Sequence, residues 1–452
     1  MKTIQVGLTG LSRAGKTVFL TSAIHELIET TGEGLREFKN SGWSYAGYVE
    51  PIRDGAEPFL YGDRLERLRE NPPRWPEPTE NISEYHLHLK LLRADGKRRE
   101  GRIVFVDYPG EMLTDVALLD TRYQEWSDEC FRSLASPFGT TEDAAREFLE
   151  SVRTLTADAK GRVPEHQRHA AQYAFGSYGV AAWQAGRPVA PLEPVLKSIS
   201  PPSPPLAPFF PLDAEMRKRM PHLLEQMEIA YSKYGTVTVS PFLDRIAACS
   251  RQIVLVDLFD ILRSGPSKHN EAKELMKKVL RCFAKANRTV LSRIVSRIPI
   301  LRNRRIRKTM FCATKADQVT EDHRLNLEML LRDMHSAAAK EIEFNDPTIK
   351  PIFKAISAYR CTDDVASNHE GKPVMALKGR LRERSSEAIG PYCPGKVPSA
   401  WPEFKSEWSS FGSPEWFPEF LPRPLPAING GRPFNSIKMD QILFWIVEDL
   451  LK

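Results

Sequence analysis

Gly10-Leu11-Ser12-Arg13-Ala14-Gly15-Lys16-Thr17 reads G-x-x-x-x-G-K-T, the spacing of a phosphate-binding P-loop. The apolar run Ile4 to Leu8 before it reads as a buried strand. Behind it, Val18, Phe19, Leu20, Ala23, Ile24, Leu27 and Ile28 recur at helical spacing. Strand, glycine-bounded turn and helix are the context in which the motif works. Successive backbone N–H groups curl around a phosphate, and the positive end of the helix dipole faces it. Gly10 and Gly15 allow backbone shapes and close approaches that a Cβ would block. The candidate phosphate-binding residues are Ser12, Arg13, Ala14, Gly15, Lys16, Thr17 and Val18. Lys16 sets a point charge against the β- and γ-phosphates, and the Thr17 hydroxyl is a ligand for Mg²⁺.

Working outward, residues 35–75 read as irregular, with a short helical pattern over Asp63–Glu70. The stiff segment Pro73-Arg74-Trp75-Pro76-Glu77-Pro78-Thr79 leads into a strand. There Tyr85, Leu87, Leu89 and Leu91 alternate with Glu84, His86, His88 and Lys90. Asp95-Gly96 signals a hairpin, and the returning strand, Ile103 to Val106, runs into Asp107-Tyr108-Pro109-Gly110-Glu111. This is D-x-x-G at the end of an apolar strand, where an open α/β sheet presents its functional groups. Asp107 can hold Mg²⁺ directly or through water, and the Gly110 N–H can sense a γ-phosphate.

Two further strands end in suggestive residues. Thr309 to Ala313 leads into Thr314-Lys315-Ala316-Asp317, a [N/T]-K-x-D pattern. The Asp317 carboxylate can accept from the guanine N1–H and exocyclic amine together, a donor pair that adenine lacks. The Lys315 stem can lie along the base. Pro351 to Ile356 leads into Ser357-Ala358, whose backbone can back the base. The base-binding candidates are thus Thr314, Lys315, Asp317, Ser357 and Ala358. Between these blocks, Ile253 to Val256 and Asp257 form another buried strand, Ser264-Gly265-Pro266 a turn, and the following stretch a long helix.

Length and composition agree with a multi-part soluble chain: 452 residues, 41% hydrophobic, 27% charged, net charge +6. No run of 18 apolar residues exists, and the six scattered cysteines form no C-x-x-C pair, which argues against membrane spans, zinc sites and disulfide frameworks. The expected fold is α/β: a mostly parallel sheet with one antiparallel hairpin strand, helices on both faces, and a large helical insertion. Residues 1–111, 251–360 and 435–452 make the nucleotide-binding core, 112–250 the mainly helical insertion, and 361–434 a proline- and aromatic-rich accessory region. The prolines of 191–211 read as a stiff connector. Met439, Ile442, Leu443, Trp445, Ile446, Val447 and Leu450 read as a terminal amphipathic helix. Between Arg281 and Lys308 stand ten Lys/Arg and no Asp or Glu, a candidate contact for an anionic membrane surface or an acidic protein. Only Phe283 interleaves them, which argues against base stacking and so against nucleic acid.

P-loop, threonine, D-x-x-G, T-K-x-D and S-A, in that order, resemble the Ras-like branch of P-loop GTPases. More narrowly, the chain resembles the bacterial YcjX family of stress-linked NTPases. The likeness is carried by Leu8 to Thr17, Trp75 to Thr79, Ile103 to Glu111, Gln252 to Asp257 with Ser264-Gly265-Pro266, and Ala313 to Asp317. It implies a cytoplasmic GTP- and GDP-binding protein with a Ras-like core and a helical insertion, and the basic stretch adds the expectation of peripheral contact with the inner membrane. Thr79, just before the second strand, is the candidate switch threonine that completes Mg²⁺ coordination beside Thr17 and Asp107. Where many GTPases place a water-orienting Gln, this chain has Glu111. Arg13 is a candidate charge donor in cis. With Lys16, Thr79 and Gly110, Glu111 and Arg13 make up the candidate catalytic set. The expected activity is Mg²⁺-dependent hydrolysis of GTP to GDP and phosphate in a stress-related switch. The alternatives are a nucleotide-gated scaffold with negligible turnover, motivated by Glu111, and an ATPase.

Overall fold

The computed structural model describes the chain outside residues 11–13, 31–34, 53–56, 78–81, 136–140, 159–160, 186–188, 192–194, 196–205, 295–305, 342–349, 370, 383–390, 413–415, 426–433 and 452. The chain forms two compact units. One comprises Met1–Pro109, Ala248–Leu280 and Asn287–Lys452, the other Gly110–Ala247 with Arg281–Ala286.

The first unit is built on a sheet of β1 (Lys2–Gly10), β2 (Trp43–Glu50), β3 (Glu57–Pro58), β4 (Ser83–Arg93), β5 (Arg98–Asp107), β6 (Arg251–Val256), β7 (Lys308–Ala313) and β8 (Lys350–Ala355). The order is β2-β4-β5-β1-β6-β7-β8, with β3 beside β4. Strands β5, β1, β6, β7 and β8 run parallel. Strand β4 returns antiparallel to β5 through the Asp95-Gly96 turn, where Gly96 has φ +86°. The expected mostly parallel sheet with an antiparallel hairpin strand is therefore present. The central β6 is buried along its whole length, as a strand covered on both faces must be.

Helices α1 (Lys16–Ile28), α2 (Arg36–Asn40) and α3 (Tyr61–Arg69) follow β1. Residues 35–75 are thus more ordered than the sequence suggests. Strand β2 escapes a hydrophobic reading because it carries exposed Tyr48 and Val49 and a glycine. A Cβ on that Gly47 would stand 2.2 Å from the Leu27 carbonyl oxygen, so the strand packs directly on α1.

Leu20, Ile24 and Leu27 of α1 join Val6, Leu8, Ile103 and Ile253 of the sheet in one buried cluster. Ile442, Leu443, Ile446 and Leu450 of the terminal helix Met439–Leu451 complete it. That helix is also pinned by charge. Buried Arg251 donates to the Trp445 carbonyl (3.1 Å) and Asp449 (2.9 Å), and Lys308 donates to Glu448 and Asp449. Met310 and Cys312 of β7 face this cluster. Phe311 between them faces the other way and meets His335 on the helix Arg324–Glu341. Beyond β8, β9 (Asp363–His369), β10 (Lys372–Lys378) and β11 (Pro391–Tyr392) make a second sheet, with Gly371 at φ +79° in the turn between β9 and β10.

In the second unit, the regular elements among the described residues are helical. A 3-10 helix, Gly110–Leu119, is followed by α4 (Tyr123–Leu134), α5 (Glu142–Arg153), α6 (Glu165–Gln184), α7 (Ala214–Arg219) and α8 (Pro221–Tyr234). Gly235–Val239 continues α8 as a π-helix into α9 (Ser240–Ala248). Its core is aromatic: Trp126 meets Phe175, Phe209 and Tyr231, and Phe148 meets Phe175. Neighbouring polar groups bond within the unit. Tyr123 donates to the Phe210 carbonyl, and the Ser127 hydroxyl both donates to the Leu212 carbonyl and accepts from its N–H. Part of the proline-rich run falls outside the described residues, but Phe209, Phe210 and Leu212 at its end are fully buried.

Two helices link β6 to β7: α10 (Leu258–Ser264) and α11 (Pro266–Ile294). The sequence reading missed α10, which at seven residues is too short for apolar periodicity to reveal. In the basic stretch, Lys285 pairs with Asp120, Lys308 is spent on the terminal helix, and 295–305 lie outside the described residues. No helix among the described residues is long and apolar enough to cross a membrane.

Candidate functional site

The parallel strands of the first unit bring their C-terminal ends to one edge of the sheet. Leu8 pairs with Asp107 and Gly10 with Leu255, while Val256 pairs with Ala313 and Ala313 with Ala355. The P-loop, D-x-x-G, T-K-x-D and S-A segments each begin where one of these strands ends, so the sheet gathers four segments that are distant in sequence.

The two loop glycines are needed for different reasons. A Cβ on Gly10 would stand 2.5 Å from the Leu255 carbonyl oxygen. That position demands glycine for space. Gly15 has open space around a notional Cβ but sits at φ +83°, ψ +23°. It demands glycine for conformation. From Gly15 the helix starts at once, with the Phe19 N–H donating to the Gly15 carbonyl at 2.9 Å. Lys16 folds back, and its Nζ donates to the Gly10 carbonyl at 3.2 Å. Thr17, in the first turn of α1, and Ala14 before it are both buried. Ser12 and Arg13 lie outside the described residues, as does Thr79.

Asp107 is fully buried at the end of β5, beside Leu8 of β1 and opposite Ser83 of β4. Tyr108 after it is anchored twice: its N–H donates to the Leu8 carbonyl (3.2 Å) and its hydroxyl to Gln252 Oε1 (2.8 Å). Gly110 and Glu111 open the 3-10 helix of the second unit. The Glu111 side chain lies outside the described residues.

At the end of β7 the chain is fixed by its own polar groups. Thr314 donates both its N–H (3.0 Å) and its hydroxyl (3.3 Å) to the Val256 carbonyl, so its side chain serves the strand end. Lys315 adopts φ +59°, and its Nζ donates to Asp257 Oδ2 at 2.6 Å. Burial works against the ammonium, and Asp257 more than compensates, so its pKa is raised. Asp257 is also the N-cap of α10: its Oδ1 accepts from the N–H groups of Phe259 (3.0 Å) and Asp260 (3.1 Å).

Asp317 is buried, and burial pushes its pKa up. The Cys361 N–H (2.7 Å) and the Ser357 hydroxyl counteract this. Each carboxylate oxygen has two acceptor sites, so these bonds hold the side chain without exhausting it. The Ala358 carbonyl accepts from Ser22 of α1 at 2.7 Å, tying the S-A segment to the P-loop helix. Ser357 exchanges backbone bonds with Ile437.

Sequence reasoning overlooked two residues here. Asp257 was legible as a strand-end acid, but its grip on Lys315 was not. Arg64 on α3 had no sequence signal. Its guanidinium is half-buried, donates to the Glu77 carbonyl at 2.5 Å, and interacts electrostatically with Asp107.

Strand order β4-β5-β1-β6-β7-β8, with β4 antiparallel and a glycine-bounded loop joining β1 to α1, defines a Ras-like P-loop fold. Comparison of the whole sequence narrows this class. The chain belongs to the YcjX-like family, DUF463, whose model matches residues 4–451. It is similar to the Ras-like GTPase YcjX of Escherichia coli strain K12, with 26% identity covering 99% of this chain and 96% of that protein. It is also similar to the Ras-like GTPase YcjX of Shewanella oneidensis, with 27% identity covering 99% and 95%.

Proposed function

We propose that this chain binds guanine nucleotides and hydrolyses GTP to GDP and phosphate. The observation that carries the reading is the alignment of strand ends: β1, which leads into Gly10, lies beside the Asp107 end of β5, with Asp317 presented two strands away on the other side. The names of the two relatives support the same activity. In hydrolysis, a water oxygen bonds to the γ-phosphorus and the bond from that phosphorus to the β–γ bridging oxygen breaks. Its electron pair stays on GDP, and a water proton is released. The residues' tasks are electrostatic and positional. Lys16 and the backbone from Arg13 to Thr17 balance the growing phosphoryl charge. Asp317 accepts from the guanine edge. Lys315, held by Asp257, borders the base.

Asp107, Thr17 and Thr79 are the proposed Mg²⁺ residues. A buried carboxylate and a first-turn hydroxyl form the all-oxygen donor set that this ion prefers. When bound, Mg²⁺ neutralises phosphate charge. Loss of the γ-phosphate would release the segments around Thr79 and Gly110, making the protein a nucleotide-dependent switch, in a stress-related process if it follows the family. A carboxylate at Glu111, where many GTPases orient water with an amide, favours a second reading: a nucleotide-gated scaffold with negligible turnover.

Displacement of a fluorescent GDP by GTP, GDP, ATP and ADP with Mg²⁺ present tests base choice. A guanine preference of at least tenfold, about 1.4 kcal/mol, is expected, and equal or better adenine binding would turn the reading to an ATPase. Single-turnover phosphate release then separates enzyme from scaffold.

A further inference from the structure

We infer that Arg64 is the arginine that supplies positive charge to the γ-phosphoryl group during hydrolysis, an assignment that rests on the GTPase reading above. Its helix is docked on the phosphate-binding element: Leu65 and Leu68 are buried in a cluster against which Val18, in the first turn of α1, packs. Arg64 adjoins Leu65 in the chain, and Asp107, at the end of β5, is the foremost of the carboxylates that attract its guanidinium. The guanidinium is preorganised. It lies over the buried Phe59 ring, 5.3 Å from its centroid, and donates one N–H to the Glu77 carbonyl. Its Nε is buried without a hydrogen-bond partner among the described residues.

A buried donor left unused costs roughly 1–3 kcal/mol, and a planar guanidinium is the group best matched to a phosphoryl oxygen. Asp107 pairs with Leu8, two residues before the P-loop begins. Val18, against which the Arg64 helix packs, directly follows Thr17, so a γ-phosphoryl bound at the first turn of α1 lies close to that helix. Glu77 stands two residues before Thr79 in the chain, so the same side chain also steadies the segment that leads to the proposed switch threonine. When the γ-phosphorus leaves the bridging oxygen, negative charge shifts onto oxygens that the free N–H can meet. No proton or bond passes through Arg64.

The test uses the full chain with R64A, R64K and R67A. R67A removes the exposed ion pair between Arg67 and Glu77 and leaves Arg64 in place. The expected result for R64A is a single-turnover rate at least about 100-fold below that of the parent, since a supplied arginine is worth roughly 10³–10⁵ in rate. GDP affinity should stay within about threefold of the parent value, and R64A should fail to form the GDP–aluminium fluoride complex. R64K should lose at least about tenfold, R67A should keep the parent rate, and added guanidinium ion should restore part of the R64A rate. An R64A rate within threefold of the parent overturns the inference. So does an equal rate loss in R64A and R67A, which would mean that both merely hold the Glu77 segment. A parent chain that binds GTP but releases no phosphate overturns the hydrolysis reading itself, and this inference with it.

Discussion

Lys315 Nζ donates to Asp257 Oδ2 at 2.6 Å, joining the residue that borders the proposed base site to the N-cap of α10. Asp257 is almost wholly buried, whereas Lys315 keeps some exposure (4% against 29%). The carboxylate is therefore shared between a helix end and a cation. This double use separates two substitutions. Asp257→Asn keeps an oxygen for the Phe259 and Asp260 N–H groups but removes the charge opposite Lys315. It should cost about 1–2 kcal/mol of stability and weaken GDP binding several-fold. Asp257→Ala also loses the cap and should cost about 1 kcal/mol more. Urea denaturation of the two variants checks this. Equal losses would show that the cap contributes nothing.

Base choice should reside in Asp317. Asp317→Asn retains one acceptor for the Cys361 N–H and offers an amide donor toward the base. Xanthine carries a carbonyl where guanine has its exocyclic amine, so the donor suits xanthine. The expected outcome is a change from GDP preference to preference for xanthosine diphosphate by tenfold or more in competition binding. An unchanged guanine preference would remove Asp317 from base recognition.

The two P-loop glycines should fail differently when replaced. Gly15→Ala puts a Cβ into open space at φ +83°, so the penalty is conformational, about 1–2 kcal/mol. Gly10→Ala drives a Cβ to 2.5 Å from the Leu255 carbonyl oxygen, so β1 and β6 must part. Forced overpacking of this kind costs about 1–3 kcal/mol or more. Chemical denaturation should rank Gly10→Ala as the less stable variant. The reverse order would mean that the strands accommodate the methyl group.

The sheet was legible because its strands announce themselves in two ways: the alternation of Tyr85 to Leu91, and the apolar runs of β6 and β7 with the apolar Ile4, Val6 and Leu8 of β1. The ends of those strands carry Asp107, the P-loop, Asp317 and Ser357, in that order along one edge. What stayed hidden has physical reasons. Strand β2 packs on α1 through the bare backbone of Gly47, so it needs no apolar signature there. Helix α10 is held by a cap rather than by periodicity. The pairing of Lys315 with Asp257, and the electrostatic attraction of Arg64 to Asp107, join residues 58 and 43 positions apart, and no local pattern records which charge meets which.

Glu26 gives the phosphate-loop helix a pH signature. It is fully buried on α1, accepting from the Thr30 hydroxyl at 3.1 Å, while the Glu26 carbonyl accepts from the Tyr45 hydroxyl at 2.8 Å. Burial raises its pKa from 4.5 to about 7; the bonds from Thr30 and the Phe434 N–H oppose this, and Asp440 adds to it. Between those two values the folded chain holds a proton that the unfolded chain has released, so this residue makes stability fall as pH rises from about 4.5 to 7. Buried His25 and His335 act oppositely. Their pKa values are lowered from 6.5 to about 4, so the unfolded chain binds their protons first and stability rises with pH between about 4 and 6.5. The two effects overlap in the wild-type curve, but a variant separates them. Glu26→Gln removes the glutamate's contribution and leaves the histidines. It should match the parent near pH 4.5 and exceed it by on the order of 2–3 kcal/mol at pH 8. Denaturant titrations of both chains at pH 4.5, 6 and 8 read the difference directly. A gap that does not widen with pH would mean that Glu26 ionises freely in the folded protein.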